Sequence, residues 1–240
     1  ANTMIDSLNK KLFLFPEKIR DIESIHSEYL IENIEYSFKA WNENPSQVNL
    51  SFKEFCNYVL PYRSQNEVLE KGSRKFFYEK YHWVLDSLKA GKDVEKTIIQ
   101  MMSGTYFRYD WRRVDYPYSY KITELEKKGF GTCSDITPYW VSALRSIGIP
   151  CAYESIPHWG NHHSSGHDWL AVKIKDSFKP TDPFIPKFNI LDEIIKKGST
   201  PKVYRKTFAR GMLDVSSDYL NTSDFEFDIT MNNTENIDKP

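Results

Sequence analysis

Cysteine is sparse in this 240-residue chain: Cys56, Cys133 and Cys151 are all it has. So small and odd a set argues against a disulfide framework and permits a free thiol in either redox compartment. No sign of charge dominates. The 32 basic and 33 acidic residues leave a formal net charge of -1, so no whole-molecule field points to nucleic acid or to an anionic membrane. No apolar run approaches the ~20 residues that span a bilayer. The Ala1-Asn2-Thr3-Met4 start lacks the apolar core of a signal peptide, although a removed export signal would leave no trace. A soluble protein is the expectation. What the chain does have is 40% apolar residues, enough for a sizeable core, and 15% aromatic residues, which read as core filling before they read as a ring-lined groove.

Apolar periodicity divides the chain into a helical region at 1–104, a mixed segment at 105–200 and a β-prone extension at 201–240. Ile22, Leu30, Ile34, Phe38 and Trp41 recur at helical intervals and predict a core-facing stripe. A second helix opens at Ser51, with Glu54 completing a capping box, and stops before Pro61. Phe77, Tyr81, Val84 and Leu88 mark a third, ended by Gly91, and Asp93 caps a fourth that carries Val94, Ile98, Met101 and Met102. A loop through Pro117 leads to Glu124 and the Gly129-Phe130-Gly131 turn. Ile136, Trp140, Ala143 and Ile147 then trace a helix ending at Gly148, and a short strand follows from Cys151 to Ile156. Trp169 to Ile174 and Phe178 to Phe184 predict a hairpin about Asp176-Ser177, with a helix from Leu191 to Lys197 after it. Val203 to Phe208 and Phe225 to Ile229 are β-prone pieces, either an edge extension or the start of a further domain, and the 232–240 tail has the composition of a disordered segment. There is no internal repeat.

The chemistry-bearing residues sit in the mixed segment. Cys133 follows a glycine turn and begins an amphipathic helix, where unpaired backbone amides and the positive end of the helix dipole favour a thiolate. Cys56, inside a short apolar helix, and Cys151, entering a strand, have the surroundings of inert buried thiols. His167 stands at the mouth of a strand, between Gly166 and Asp168-Trp169. A hairpin turn near residue 176 returns the chain so that Asp182 reaches the level of His167 to within a residue or two. A carboxylate on one imidazole nitrogen fixes the tautomer and leaves the other nitrogen to take the thiol proton.

Gly131-Thr132-Cys133-Ser134-Asp135, the Leu144–Pro150 stretch ending in Gly-Ile-Pro, Gly166-His167-Asp168-Trp169 and Thr181-Asp182-Pro183 resemble, in order and spacing, the successive motifs of the transglutaminase-like superfamily. The resemblance implies an α+β fold with a papain-like core, a nucleophile helix packed on an antiparallel sheet, and a catalytic Cys133, His167 and Asp182. It further implies peptide hydrolysis, deamidation or amide crosslinking on peptide, protein or glycopeptide substrates, or a site retained after catalysis is lost, with no cofactor. Hydrolysis is the default, because crosslinking needs an amine site and exclusion of water. Leu60-Pro61-Tyr62-Arg63 and Lys202-Val203-Tyr204-Arg205 resemble exported bacterial members, which implies a periplasmic or cell-surface location.

Two features depart from the family pattern. Pro138 falls early in the nucleophile helix, where its missing amide removes the bond to the Ser134 carbonyl and predicts a loose first turn or a late start. The insertion from Ser155 to Ser165 has no counterpart. The sequence does not identify the oxyanion donors: the backbone amide of Cys133 is one candidate, and a side chain of Trp111 or Tyr120 is a candidate for the second. Trp111 and Tyr120, together with His158, Trp159, His162, His163 and Trp169 around the histidine-rich loop, are candidate substrate contacts. Two other readings stand beside the cysteine hydrolase. His158, His162, His163, His167 and Asp168 could bind a transition metal, though no helical H-E-x-x-H framework is present. The groove could also bind a peptide or glycan with the three residues serving only as architecture.

Overall fold

Helices predominate among the described residues from 21 to 103, and the residues they bury explain how they are held. The structure, a computed structural model, describes residues 21–47, 49–113, 120–159, 166–188, 203–207 and 226–228. α1 (Asp21–Ser24) and α2 (Ser27–Glu43) are followed by α3 (Phe52–Tyr58), α4 (Ser73–Lys89) and α5 (Val94–Ser103). The Ser51–Glu54 capping box opens α3, and the Asp93 carboxylate accepts the Lys96 amide at 2.9 Å to open α5. Phe77, Tyr81, Val84, Leu88, Ile98, Met101 and Met102 all lie in the main core.

The expected stripe on the first helices is corrected. Ile22, Leu30 and Ile34 are 88%, 37% and 46% exposed, while α2 buries Asn33, Ser37 and Ala40 instead. The reason is the hydrogen bonding available on that face. Asn33 Nδ2 donates to the Leu60 carbonyl at 2.8 Å, and the buried guanidinium of Arg74 donates to Ser37 Oγ at 2.6 Å. Satisfied polar groups and a small Ala40 allow a close approach that a Leu/Ile stripe would prevent. Phe38 and Trp41, from the expected stripe, pack instead against a separate small cluster of Leu50, Phe55 and Val59.

Two very short strands, β1 (Arg108–Tyr109) and β2 (Phe130–Gly131), pair in parallel, with Tyr109 opposite Gly131. Between them α6 (Ile122–Lys128) was not expected from the sequence, although Ile122 and Leu125 are its buried residues and Gly129 terminates it. α7 (Cys133–Ser146) begins at Cys133 and carries Pro138 inside it. It neither starts late nor lacks its first turn, because the cap described below holds that turn independently of the bond Pro138 cannot make.

β3 (Cys151–Ile156), β4 (His167–Ile174), β5 (Ser177–Thr181), β6 (Tyr204–Lys206) and β7 (Glu226–Asp228) form an antiparallel sheet in the order β5-β4-β3-β6-β7. The hairpin turns at Lys175-Asp176, one residue earlier than expected, with Lys175 in the left-handed region at φ 55. Cys151, Tyr153, Leu170, Val172 and Ile174 share one core with Ile136, Trp140 and Leu144 of α7 and Phe77 and Leu85 of α4. Ion pairs from Lys173 to Glu54 and from Lys179 to Glu95 tie the sheet to α3 and α5. The fold is α+β, helices first and then a helix packed on an antiparallel sheet, as the motifs imply. The expected helix at 191–197, His162 and His163, and the 232–240 tail lie outside the described residues.

Candidate active site

Cys133 is the first residue of α7, and its position is set by a cap. Thr132 Oγ1 accepts the Asp135 amide at 3.3 Å, and Asp135 Oδ2 accepts the Thr132 amide at 3.0 Å, a second capping box. Asp135 also meets Arg113 at 3.4 Å, and the Arg113 guanidinium lies 3.7 Å from the centre of the Tyr120 ring. Gly131 lies so close to the cap that a Cβ there would stand 2.9 Å from Asp135 Cβ and 3.0 Å from Ile136 Cδ1. Cys133 is half-buried, and its amide is among the helix's first four, which have no partner within the helix.

His167 begins β4. Gly166 precedes it because a Cβ there would run into the carbonyl oxygens of Ile156 and Pro157. The imidazole lies near two indoles: Trp159 is stacked at 6.2 Å between ring centres and Trp169 is tilted at 6.0 Å. Its Nε2 is 2.8 Å from Asp182 Oδ2. Burial alone would lower the pKa of this ring. Side-chain hydrogen bonding to Asp182 and to Cys133, with the negative charge each can carry, outweighs burial and raises the value to about 10.

Asp182 is buried just past the end of β5, and Leu170 opposite Thr181 sets its level against β4. Its second oxygen, Oδ1, accepts the amides of Phe184 at 2.8 Å and Ile185 at 3.1 Å, which fixes the carboxylate plane. The next carbonyl, of Pro183, accepts Trp140 Nε1 from α7 at 3.0 Å, so the loop carrying Asp182 is tied to the helix carrying Cys133.

The other sequence candidates fall in distinct places. Trp169 is buried, and its Nε1 donates to Glu154 Oε2 at 2.7 Å. Glu154 Oε1 in turn accepts Arg205 Nε at 2.8 Å and Nη2 at 2.6 Å, so Trp169 is fixed beneath His167 rather than open to a ligand. Trp111 is 72% exposed on a single 3-10 turn at 111–113. Tyr120 is engaged with Arg113, Lys128 and Phe130. His158 is exposed, with Nδ1 3.4 Å from the Trp159 carbonyl. Among the described residues no group of three His, Cys, Asp or Glu is arranged to hold a metal ion.

Near the sulfur are Asp168, which the sequence offered only as a possible metal ligand, and Tyr109, which it did not single out. Asp168 Oδ2 accepts Cys133 Sγ at 3.6 Å and Ser134 Oγ at 2.5 Å. Tyr109, brought beside the glycine turn by the β1–β2 pairing, is raised in pKa first by burial and then by the charge of Cys133. Its ring sits edge-on to Phe184 at 5.7 Å. A hollow of about 190 Å³ lined by Met102, Tyr106, Phe107, Pro183 and Phe184 adjoins this wall.

Residues 76–183 match the family model described as the transglutaminase-like superfamily. No curated protein matches the chain. Among solved structures it is similar to a candidate cysteine protease from Cytophaga hutchinsonii at 12% identity and TM-score 0.40, over 59% of this chain and 45% of that one. It is similar to LapG of Legionella pneumophila at 16% identity and TM-score 0.37, over 59% and 79%. A transglutaminase matches at 10% and 0.33, over 82% and 43%. The chain thus spans less than half the length of the first and third.

Proposed function

Since this chain carries a transglutaminase-like superfamily domain at residues 76–183, we propose that it is a cysteine-dependent hydrolase of amide or peptide bonds, with Cys133 as nucleophile, His167 as base and Asp182 as its orienting carboxylate. The observation that carries this is the placement of His167, held through Nε2 by Asp182 at 2.8 Å, with Cys133 at a capped helix N-terminus among the groups that raise its pKa. With Nε2 engaged, Nδ1 is the nitrogen left for the thiol.

The steps follow from those roles. The proton shared by Cys133 and His167 rests on the imidazole, whose pKa is raised to about 10, as sulfur bonds to the substrate carbonyl carbon, giving a tetrahedral oxyanion. The Cys133 amide and the Tyr109 hydroxyl are suited to stabilise that oxygen, with Tyr109 in the place for which Trp111 and Tyr120 were the sequence candidates. Collapse breaks the carbon–nitrogen bond, and His167 returns the proton to the leaving amine. Water, deprotonated by His167, then adds to the thioester and releases the acid and the thiol. Peptides, proteins and glycopeptides are the substrate class, the helical region supports the catalytic unit, and export belongs to the same reading. No described helix is long and apolar enough to cross a membrane.

The test is limiting iodoacetamide near neutral pH, followed by peptide mapping and a peptide and glycopeptide turnover screen. Cys133 labels well before Cys56 and Cys151, His167→Ala slows it, chelators leave it unchanged, and Cys133→Ala abolishes turnover. Equal labelling of the three cysteines sinks the reading. Selective labelling without turnover of any substrate favours the binding module, and chelator sensitivity favours a metal site.

A further inference from the structure

Asp168 follows His167 directly on β4, so the two side chains leave opposite faces of the strand. Leu170, Val172 and Ile174 continue the Asp168 face and pack in the core with Trp140 and Leu144 of α7. That face therefore carries the Asp168 carboxylate to the first turn of α7, where Oδ2 accepts Cys133 Sγ at 3.6 Å and Ser134 Oγ at 2.5 Å. Tyr153, on the adjacent β3, is fully buried, and its hydroxyl has no hydrogen-bond partner of normal geometry. Tyr153 lies opposite Leu170 and so shares the Asp168 face, and its pKa is raised well above the usual value by burial first and then by Asp168.

The hydrolytic steps make no use of this carboxylate. As an anion in contact with the nucleophile, it opposes formation of a thiolate and repels negative groups. Around the sulfur, the imidazole of His167 is already engaged by Asp182, and Tyr109 and Tyr153 are raised in pKa and therefore neutral at working pH. Among the described residues the hydrogen bonds of normal geometry to Asp168 come from Cys133 and Ser134, both uncharged while Cys133 is a thiol. Its charge is thus left for a ligand to balance.

We propose that Asp168 is the charge-selecting residue of this site, favouring substrates that bring an ammonium or guanidinium group beside the reacting carbonyl and rejecting those with a carboxylate there. The proposal rests on the reading of Cys133 as nucleophile.

Small thiol reagents test it without a known substrate. The full chain is treated at low ionic strength with 2-aminoethyl, methyl and 2-sulfonatoethyl methanethiosulfonate, which are cationic, neutral and anionic. In each the Cys133 thiolate attacks the sulfenyl sulfur, methanesulfinate leaves, and a mixed disulfide forms. Rates are read at the Cys133 peptide by mass spectrometry and normalised to 2-mercaptoethanol. A cationic-to-anionic preference of about tenfold or more is expected from one carboxylate at this range. Asp168→Asn brings the ratio near one, and Asp168→Glu keeps it. A wild-type ratio near one, or an equal ratio in a folded Asp168→Asn variant, overturns the proposal. The neutral reagent separates this from the underlying reading: slow labelling that ignores His167→Ala counts against Cys133 as nucleophile, whatever the charge ratio is.

Discussion

Replacing Asp182 by asparagine tests the ion pair most directly, because Asp182→Asn removes a charge and leaves the shape. The introduced carboxamide oxygen can still accept the Phe184 and Ile185 amides now bound at 2.8 and 3.1 Å, so the turn is expected to survive. The carboxamide nitrogen then faces His167 Nε2, donor to donor, unless the ring gives up its proton on that nitrogen and places it on Nδ1 toward Cys133. The neutral ring is then protonated on Nδ1, where the proposed base needs a lone pair. A charge-assisted hydrogen bond contributes about 1.5–3 kcal/mol, so the His167 pKa, raised to about 10 in the wild type, should fall by about one to two units. A pKa raised on folding contributes stability that is fully present below the unfolded value of about 6.5 and is lost as pH rises through about 10. The variant should therefore be less stable than wild type by about 1.5–3 kcal/mol at pH 6, with the gap closing above pH ~10. Denaturant unfolding at the two pH values and the His167 Cε1–H titration by NMR read both effects. A midpoint that does not move, or a destabilisation equal at both pH values, refutes the reasoning.

Three further substitutions probe the supports. Tyr109→Phe should reduce turnover about a hundredfold with little change in KM, as expected for loss of one oxyanion donor; an unchanged kcat removes Tyr109 from that role. Arg205→Met leaves the buried Glu154 carboxylate with only the Trp169 indole, and should destabilise by about 3–5 kcal/mol, with Arg205→Met/Glu154→Gln recovering much of it; equal stability of the single and double variants in denaturant counts against a buried pair. Gly166→Ala must push the backbone away from the Ile156 and Pro157 carbonyls, so thiol labelling at Cys133 should slow as His167 moves, and wild-type labelling kinetics would show that the segment adapts freely.

The proposed catalytic residues were legible because each lies in a local motif whose register follows from a short count along the chain. The hairpin fixes Asp182 against β4 within two residues even though the turn falls at Lys175-Asp176 rather than one residue later. Residues governed by tertiary pairing were not legible. Tyr109 reaches the glycine turn through β1 and β2, strands of two residues each that leave no periodic signal. Asp168 contacts Cys133 because its strand face packs on α7, which depends on the helix–sheet arrangement as a whole. The Thr132–Asp135 capping box was readable by the same spacing rule that identified Ser51–Glu54, and it went unread because Asp stands where Glu is expected. On α2, apolar periodicity selected the wrong face, since hydrogen-bonded Asn33 and Ser37 take the interior.

These supports share a dependence that bears on how the site holds its geometry. Cys133 sits on α7, His167 on β4, and Asp182 on the loop after β5, so their mutual placement needs both strand pairing and helix packing. Strand pairing alone sets His167 against Asp182. The helix enters through Trp140, buried in the core and donating to the Pro183 carbonyl at 3.0 Å, one residue from Asp182. A change at Trp140 therefore acts on both sides of His167: it loosens the seat of α7 and frees the loop that holds the Asp182 carboxylate. Trp140→Phe keeps most of the buried ring but loses the donor, leaving the Pro183 carbonyl unsatisfied at a cost of about 1–3 kcal/mol. The His167 pKa should then fall even though none of its own partners has been altered, which a purely local account of the His–Asp pair does not predict.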